Sequence, residues 1–411
     1  MKLKHVHYGW VTVVIAACVL VVLATFFYTF GIFLLPLTME FNWDRGALSA
    51  AFSMFLLISG FLGIFGGRLS DKYGPRPVVT ISGLFIGMGL LLMSQVSSLW
   101  QVYIILGLIM AIGMGSCFVP ITSTIPRWFA RKRGIAMGIT VAGAGLGGMI
   151  LPTLAQWLIS SYGWQQAYVT LGLVAFIIII PLAQFMKHSP QRMGLRPYGE
   201  NGIIENKQPS ASIVGGFSFK QAIKTGRFWL FDLILFCFMF AVMIIMVHIV
   251  PHAVDIGISA MTAAGILSII NGSSVIGRFF IGFIADRIGA RPALAACLVA
   301  LTLALIWLLF AQEIRILYVF AVVFGFAYGS IISLQPLISA ELFGLGSLGI
   351  IAGSVMFCGT TGGAVGPVVA GFIFDVTGSY RLALLISVVT GALAIMLSLI
   401  LLKAKGWRGG A

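Results

Sequence analysis

Long apolar runs separated by short polar breaks follow one another along the whole chain. The runs lie near 8–35, 46–70, 77–96, 99–126, 134–161 and 164–187, and again near 226–251, 260–285, 292–311, 315–340, 347–374 and 380–402. Each run is long enough to cross about 30 Å of hydrocarbon as an α-helix. A closed β-barrel would need alternating strands of about ten residues, which these runs do not resemble. The pattern predicts an all-α membrane protein with twelve transmembrane helices.

Composition supports this prediction and excludes an ordinary water-soluble domain. Hydrophobic residues make up 60% of the chain, charged residues only 9%, and the mean hydropathy is +1.08. Soluble domains are about a quarter charged. The first apolar run starts at Tyr8 and is too long for the core of a signal peptide, so we expect it to be retained as a spanning helix.

A polar stretch rich in Pro, Gly and Ser divides the runs into two sets of six. The expected organisation is an N-terminal six-helix bundle at 1–187, a cytoplasmic linker at 188–225 and a C-terminal six-helix bundle at 226–411.

The net charge of +14 suggests a nucleic-acid partner at first sight, but its distribution favours another reading. With the N-terminus inside, 21 of the 25 Lys and Arg residues fall in inside segments, and only Arg45, Arg315 and Arg381 fall outside. Basic residues concentrate on the cytoplasmic side of membrane proteins. The charge therefore predicts both termini in the cytoplasm and a lipid bilayer, rather than nucleic acid, as the large partner. Arg278 belongs to neither side.

An internal repeat relates the two sets of helices. "FGGRLSDKYGPRP" (65–77) aligns with "FIGFIADRIGARP" (280–292), and "GAGLGGMILP" (143–152) aligns with "CGTTGGAVGP" (358–367), both at an offset of 215 residues. The glycines of the second pair predict close helix packing. Two pseudo-symmetric halves with a site near the membrane midplane are typical of transporters that work by rocking.

These motifs carry a family resemblance. "GGRLSDKYGPR" and "GFIADRIGAR" resemble the loop signature of the major facilitator superfamily. "YGWVTV" (8–13) and "RWFARKRGIAMGITVAGAGLGG" (127–148) resemble the monocarboxylate transporter family and its bacterial oxalate/formate relatives. The resemblance covers essentially the whole chain and implies the major facilitator fold.

The repeated loops also hold candidate gate residues. Asp71 and Asp286 fall where helices end, each followed by an arginine, Arg76 or Arg291. Such carboxylates pair with nearby cations or accept from helix N-termini. We expect these four residues to latch one face of the transporter, the alternative being simple turns with solvated charges.

Arg278 is the unusual residue of the eighth predicted helix. The repeat places Gly63 at the equivalent position, so the duplicated scaffold does not itself require a cation there. A central arginine costs roughly 2.5–3.5 kcal/mol to insert, and such residues usually mark a transport pathway. Snorkelling to the interface is the alternative. Because guanidinium binds carboxylate in a bidentate manner, we expect Arg278 to bind an anion, helped by Ser274 and Asn271 on the same helix face.

The number of cations limits the substrate. Oxalate-transporting relatives carry a second basic residue on helix 11, whereas this chain has no Lys, Arg or His there. One fixed positive charge favours one carboxylate. The sequence thus predicts a small monocarboxylate such as lactate or pyruvate. The expected cavity walls are Tyr28, Cys117, Leu146, Tyr328, Phe357, Cys358 and Thr361.

The pattern of residues for proton coupling differs from that of animal relatives. Animal relatives place an aspartate one turn before the arginine and a lysine on helix 1, whereas this chain has Ser274 and no helix-1 lysine. All 11 acids are expected near span ends, in loops or in the linker. His248 titrates in the right range and is the best remaining proton carrier. Two alternatives stay open: His248 is a plain hydrogen-bonded residue, or proton and anion bind Arg278 together.

The resulting prediction is a proton-coupled monocarboxylate symporter that works by alternating access. An organic anion exchanger of the oxalate/formate type is the alternative. A receptor would need a soluble domain, and an enzyme would need a nucleotide loop, an HExxH pair or a nucleophile elbow, none of which the sequence contains. We expect no cofactor and no metal, a monomer that binds a small organic anion and a proton, and a place in a bacterial inner membrane.

Overall fold

The structure, a computed structural model, describes residues 7–129, 132–199, 217–344 and 348–403. Helices account for nearly all of these residues. They are α1 (Tyr8–Phe41), α2 (Arg45–Tyr73), α3 (Pro75–Met93), α4 (Leu99–Ile104), α5 (Ala111–Thr124), α6 (Arg133–Phe185), α7 (Phe219–Ala222), α8 (Gly226–Asp255), α9 (Ala260–Ile288), α10 (Ala290–Leu308), α11 (Ile314–Phe343), α12 (Leu348–Thr377) and α13 (Arg381–Lys403).

The predicted twelve spans are all present. A π-helical segment, Ile105–Met110, joins α4 to α5 and completes the fourth span. The 53 residues of α6 bend at Gly163, where φ is 85°. At 1.5 Å per residue they extend about 80 Å, enough for two crossings, so α6 holds the fifth and sixth spans. The seventh to twelfth spans are α8 to α13.

The internal repeat is visible in the backbone. Three pairs of turn residues separated by 215 positions share a positive φ: Asn42 and Gly257 (53° and 92°), Gly74 and Gly289 (89° and 90°), and Gly163 and Gly378 (85° and 68°). Such angles favour glycine and, less strongly, asparagine. Because the pairs fall at equivalent turns, the duplication extends from the sequence to the way helices end.

Glycine contacts between helices are duplicated as well. A β-carbon at Gly147 would lie 2.4 Å from the carbonyl oxygen of Val21, and one at Gly362 would lie 2.2 Å from that of Phe236. Gly362 lies 215 residues after Gly147, and Phe236 lies 215 residues after Val21. Since only hydrogen fits in that space, the expectation that these glycines bring backbones together is confirmed.

The chain divides into two compact units. One comprises Met1–Trp43 and Ala50–Ile203, and the other comprises Asp44–Ser49 and Ile204–Ala411. In the first unit α6 packs against α1 and α3, and in the second α8 packs against α12 and α13 while α9 packs against α11. Part of the expected linker, 200–216, lies outside the described residues. The start of α2, within Asp44–Ser49, groups with the second unit. The hydrophobic pattern of the sequence does not predict this grouping.

Two glycines of α9 make a matched test of this packing. A β-carbon at Gly277 would lie 2.2 Å from the Phe326 carbonyl oxygen, whereas one at Gly282 would meet nothing within 4 Å. We expect Gly277→Ala to destabilise the protein by about 1–3 kcal/mol through overpacking. Gly282→Ala should leave stability unchanged or raise it slightly through helix propensity. Thermal unfolding in detergent measures both, and equal melting temperatures would contradict the close contact.

Candidate functional site

One face of α9 carries the three residues predicted to bind the anion, Asn271, Ser274 and Arg278. Ser274 is fully buried, and its hydroxyl donates to the Asn271 carbonyl oxygen at 2.8 Å. The Asn271 side-chain nitrogen donates to the Leu267 carbonyl oxygen at 2.9 Å. These bonds follow the i to i−3 and i to i−4 spacing of a helix and hold both side chains against their own backbone.

Two atoms on this face remain without a partner. Among the described residues, the buried Nε of Arg278 and the buried Oδ1 of Asn271 have no hydrogen-bond partner. Arg278 is half-buried and lies within the apolar span of α9, at 260–285. A buried polar atom left without a hydrogen bond costs about 1–3 kcal/mol, so a ligand that supplies the missing acceptor is favoured. An anion bound at Arg278 would supply an acceptor for the Nε hydrogen.

The other predicted wall residues of the second unit lie on α11 and α12. Tyr328 is buried, with its ring centroid 6.3 Å from that of Phe238 in a stacked arrangement. Phe357 is exposed, and Cys358 and Thr361 are half-buried. The Thr361 hydroxyl donates to the Phe357 carbonyl oxygen at 3.1 Å. Tyr328 thus packs against α8, while the α12 residues keep more of their surface open.

The predicted wall residues of the first unit differ in burial. Tyr28 is buried and meets Phe27 edge to face, with ring centroids 5.1 Å apart. Cys117 is fully buried and contacts Ser82 of α3. Leu146 is 47% exposed and therefore remains available to a ligand. The part of these three residues in a binding site stays a prediction.

His248 of α8 is buried and held at both ring nitrogens. Its Nε2 lies 2.9 Å from the Pro367 carbonyl oxygen, and its Nδ1 lies 3.0 Å from the Tyr380 hydroxyl. A carbonyl oxygen only accepts, so Nε2 carries the hydrogen. The Tyr380 oxygen accepts from Arg45 Nη1 at 2.9 Å, which leaves its hydroxyl hydrogen available to Nδ1. When Nδ1 is assigned as the acceptor of that hydrogen, the imidazole is neutral.

Arg45, at the start of α2, centres a charged cluster that includes the tyrosine partner of His248. The guanidinium binds both carboxylate oxygens of Asp255, at 2.6 and 2.9 Å, and lies 3.8 Å from the Phe374 ring centroid. Asp375 accepts from the backbone nitrogens of Arg45 at 2.9 Å and Gly46 at 2.7 Å. A carboxylate at that place is stabilised by the helix N-terminus.

Tyr380 links this cluster to His248 because it stays protonated. Burial raises the pKa of the Tyr380 phenol above its ordinary value, and the nearby Arg45 lowers it by less. The hydroxyl is therefore a donor throughout the physiological pH range.

The predicted gate residues are only partly described. The side chains of Asp71 and Asp286 lie outside the described residues. Arg76 donates through Nε to the Gln184 side-chain oxygen at 2.7 Å, and Arg291 forms a salt bridge with Glu341 at 3.0 Å. Each arginine thus contacts a helix of its own unit, and the four-residue latch stays a prediction.

Asp232 is a residue whose burial the sequence does not reveal. The sequence places it near the end of a span, whereas in the structure it is 3% exposed and its Oδ1 has no hydrogen-bond partner among the described residues. The available signal is a single carboxylate within the apolar run "FWLFDLILFCF". The part of the chain described here has no cluster of three His, Cys, Asp or Glu side chains able to hold a metal ion.

Comparisons with known proteins identify the family. The family model described as Major Facilitator Superfamily matches residues 16–280 and 236–407. The chain belongs to the major facilitator superfamily. Solved structures of the same fold include a bacterial homologue of the human lysosomal transporter Spinster (TM-score 0.78, 14% identity, 98% of this chain and 99% of that one). The nucleoside transporter NupG is another (TM-score 0.71, 14% identity, 97% and 100%).

Sequence relatives of this superfamily member include several monocarboxylate transporters. Monocarboxylate transporter 13 of Rattus norvegicus is 28% identical over 92% of this chain and 86% of its own length. Monocarboxylate transporter 12 of Homo sapiens is 25% identical over 92% and 78%. The MFS-type transporter opdF of Penicillium oxalicum is 28% identical over 83% and 77%. The predictions of an integral membrane transporter of this family, and of a protein that is not an enzyme, are confirmed.

The bidentate pair between Arg45 and Asp255 is expected to contribute to the stability of this transporter. Arg45→Gln and Asp255→Asn each remove one charge, and in contacting residues such changes couple by about 0.5–3 kcal/mol. We expect the double variant to be less destabilised than the sum of the two single variants, as measured by thermal unfolding in detergent.

Arg315→Gln is the matched control, because Arg315 is an exposed arginine in the first turn of α11. It should leave the melting temperature unchanged. Strict additivity of Arg45→Gln and Asp255→Asn would mean that the pair adds no coupling energy.

Proposed function

We propose that this superfamily member is a secondary active transporter of small monocarboxylates, such as lactate or pyruvate, together with a proton, by alternating access. Two observations support the proposal. Relatives named monocarboxylate transporters align over 92% of the chain. The membrane span of α9 holds an arginine with a buried, unpartnered Nε.

Arg278 is the proposed carboxylate-binding residue. A planar guanidinium matches a carboxylate through two parallel hydrogen bonds. Long side chains in helices generally point toward the N-terminus, the direction in which Ser274 and Asn271 precede Arg278. Since α12 carries no Lys, Arg or His, a second carboxylate would find no fixed positive charge there. This composition supports a monoanion over oxalate.

The remaining assignments follow the same proposal. Tyr28, Cys117 and Leu146 of the first unit, and Tyr328, Phe357, Cys358 and Thr361 of the second, are proposed to line the carbon end of the substrate. The distribution of basic residues supports cytoplasmic termini. We propose that the protein acts as a monomer in a bacterial inner membrane, with the motif residues Asp71, Arg76, Asp286 and Arg291 forming gates.

Uptake of labelled lactate into proteoliposomes tests the role of Arg278. We expect Arg278→Ala to lower uptake about 100-fold, since truncating one member of a desolvated charge pair costs about 2–5 kcal/mol. Arg278→Lys keeps the charge but loses the planar fork, so it should retain only part of the activity.

Arg287→Ala is the matched control, because Arg287 lies on the same helix and is exposed. It should transport like the unmodified protein. Undiminished uptake in Arg278→Ala would remove Arg278 from substrate binding. Counterflow that is independent of pH, without any stimulation by a proton gradient, would instead favour the anion exchanger.

A further inference from the structure

The membrane span of α8 contains a carboxyl group with no assigned role. Asp232 lies six residues after the first residue of α8, about 9 Å along the helix axis. It is 3% exposed, and Oδ1 lacks a hydrogen-bond partner within the described residues. Ionisable residues inside a membrane span are rare because they are costly, and they usually serve transport.

Among the described residues, the polar groups near Asp232 are thiols. Cys237 lies on the same helix, and Cys358, a predicted wall residue, lies on α12, which packs against α8. Both thiols are free. Arg227, five residues earlier on α8, has its guanidinium 4.5 Å from the Phe217 ring centroid. In the described part of the chain, no salt bridge satisfies the Asp232 carboxylate.

Among the described residues, no charged side chain on the neighbouring helices pairs with Asp232. On α9, Arg278 and the exposed Arg287 form no salt bridge with Asp232, and the Asp286 side chain lies outside the described residues. On α12, Asp375 binds the start of α2. On α13, Arg381 and Lys403 are the first and last residues of the helix. The short α7 carries the exposed Lys220.

We infer that the Asp232 carboxyl binds the transported proton. This inference rests on the proposed proton-coupled transport of a monocarboxylate. His248, the carrier expected from sequence, holds both of its ring nitrogens in hydrogen bonds to Pro367 and Tyr380. A second proton on His248 would require the Tyr380 hydroxyl to turn its hydrogen away from Nδ1. A proton on Asp232 Oδ1 requires no such rearrangement, because this atom has no hydrogen-bond partner among the described residues.

Charge balance explains how Asp232 couples to the substrate. Asp232 and Arg278 belong to the spans of two helices, α8 and α9, that pack within the second unit. An ionised Asp232 and Arg278 together place one negative and one positive charge in the spans of this unit. A substrate carboxylate bound at Arg278 adds a second negative charge to these spans, and a proton on Asp232 removes one.

The cost of violating this balance sets the stoichiometry. A charge left uncompensated in hydrocarbon costs several kcal/mol, even after relaxation. Binding the anion without the proton would leave one net negative charge, and binding the proton without the anion would leave one net positive charge. One proton therefore accompanies each monocarboxylate. The proton adds to a carboxylate oxygen of Asp232 on loading and leaves from the same oxygen on release.

Lactate binding to the purified protein tests this inference without requiring transport. If one proton binds with each lactate, Kd rises about tenfold per pH unit above the pKa of Asp232, by linkage. In Asp232→Asn, which resembles the protonated residue, we expect Kd to be nearly independent of pH. Calorimetry in buffers of different ionisation enthalpy should give one proton taken up per lactate in the unmodified protein and none in Asp232→Asn.

Three further variants separate the possible outcomes. His248→Gln should keep the pH dependence, as should Glu313→Gln, which changes an exposed acid of the second unit. Asp232→Glu should keep the slope but shift its midpoint, which gives a readout even if Asp232→Asn fails to fold. A flat profile in His248→Gln with a steep one in Asp232→Asn, or an unshifted midpoint in Asp232→Glu, would overturn the assignment.

Transport distinguishes a failure of this inference from a failure of the proposed function. In proteoliposomes, Asp232→Asn should retain lactate counterflow within about threefold and lose stimulation by an inward proton gradient. Stimulation equal to that of the unmodified protein would overturn the inference alone. If the unmodified protein neither binds nor exchanges lactate, the proposed function itself fails.

Discussion

A polar group without a partner is costly in hydrocarbon, and this one constraint shapes the whole protein. It forces every backbone amide into a helix, which is why the described chain is a series of spans with short turns. Side-chain hydroxyls obey it too, because those of Thr140, Ser274 and Ser387 donate to carbonyl oxygens of their own helices. Helices then approach through glycines such as Gly147 and Gly362, where two backbones meet directly.

Some buried polar atoms are exceptions to this constraint. Among them, Arg278 Nε, Asn271 Oδ1 and Asp232 Oδ1 have no hydrogen-bond partner within the described residues. An arginine and an aspartate left open in neighbouring spans can be completed from outside by an anion and a proton. The same scarcity of partners that makes these residues costly therefore supports their proposed part in transport.

The cluster around Arg45 shows the opposite solution. There the guanidinium is paired with Asp255, the start of α2 is held by Asp375, and Tyr380 connects Arg45 to His248. Its charges are matched within the second unit, so the cluster stabilises structure and offers little to a substrate. Charge alone thus does not distinguish this paired cluster from the unpartnered groups that we propose to act in transport.

The sequence by itself determined the twelve spans, the duplication and the oddity of Arg278, because hydropathy, repeated motifs and a charge in an apolar run are all local in the chain. The tertiary structure alone decided which polar groups have partners. His248 meets Tyr380, 132 residues away, and Asp232 lies near Cys358 of α12, more than 100 residues further along. The burial and pairing of a polar side chain depend on residues distant in sequence, so the hydrophobic periodicity of a single helix cannot predict them.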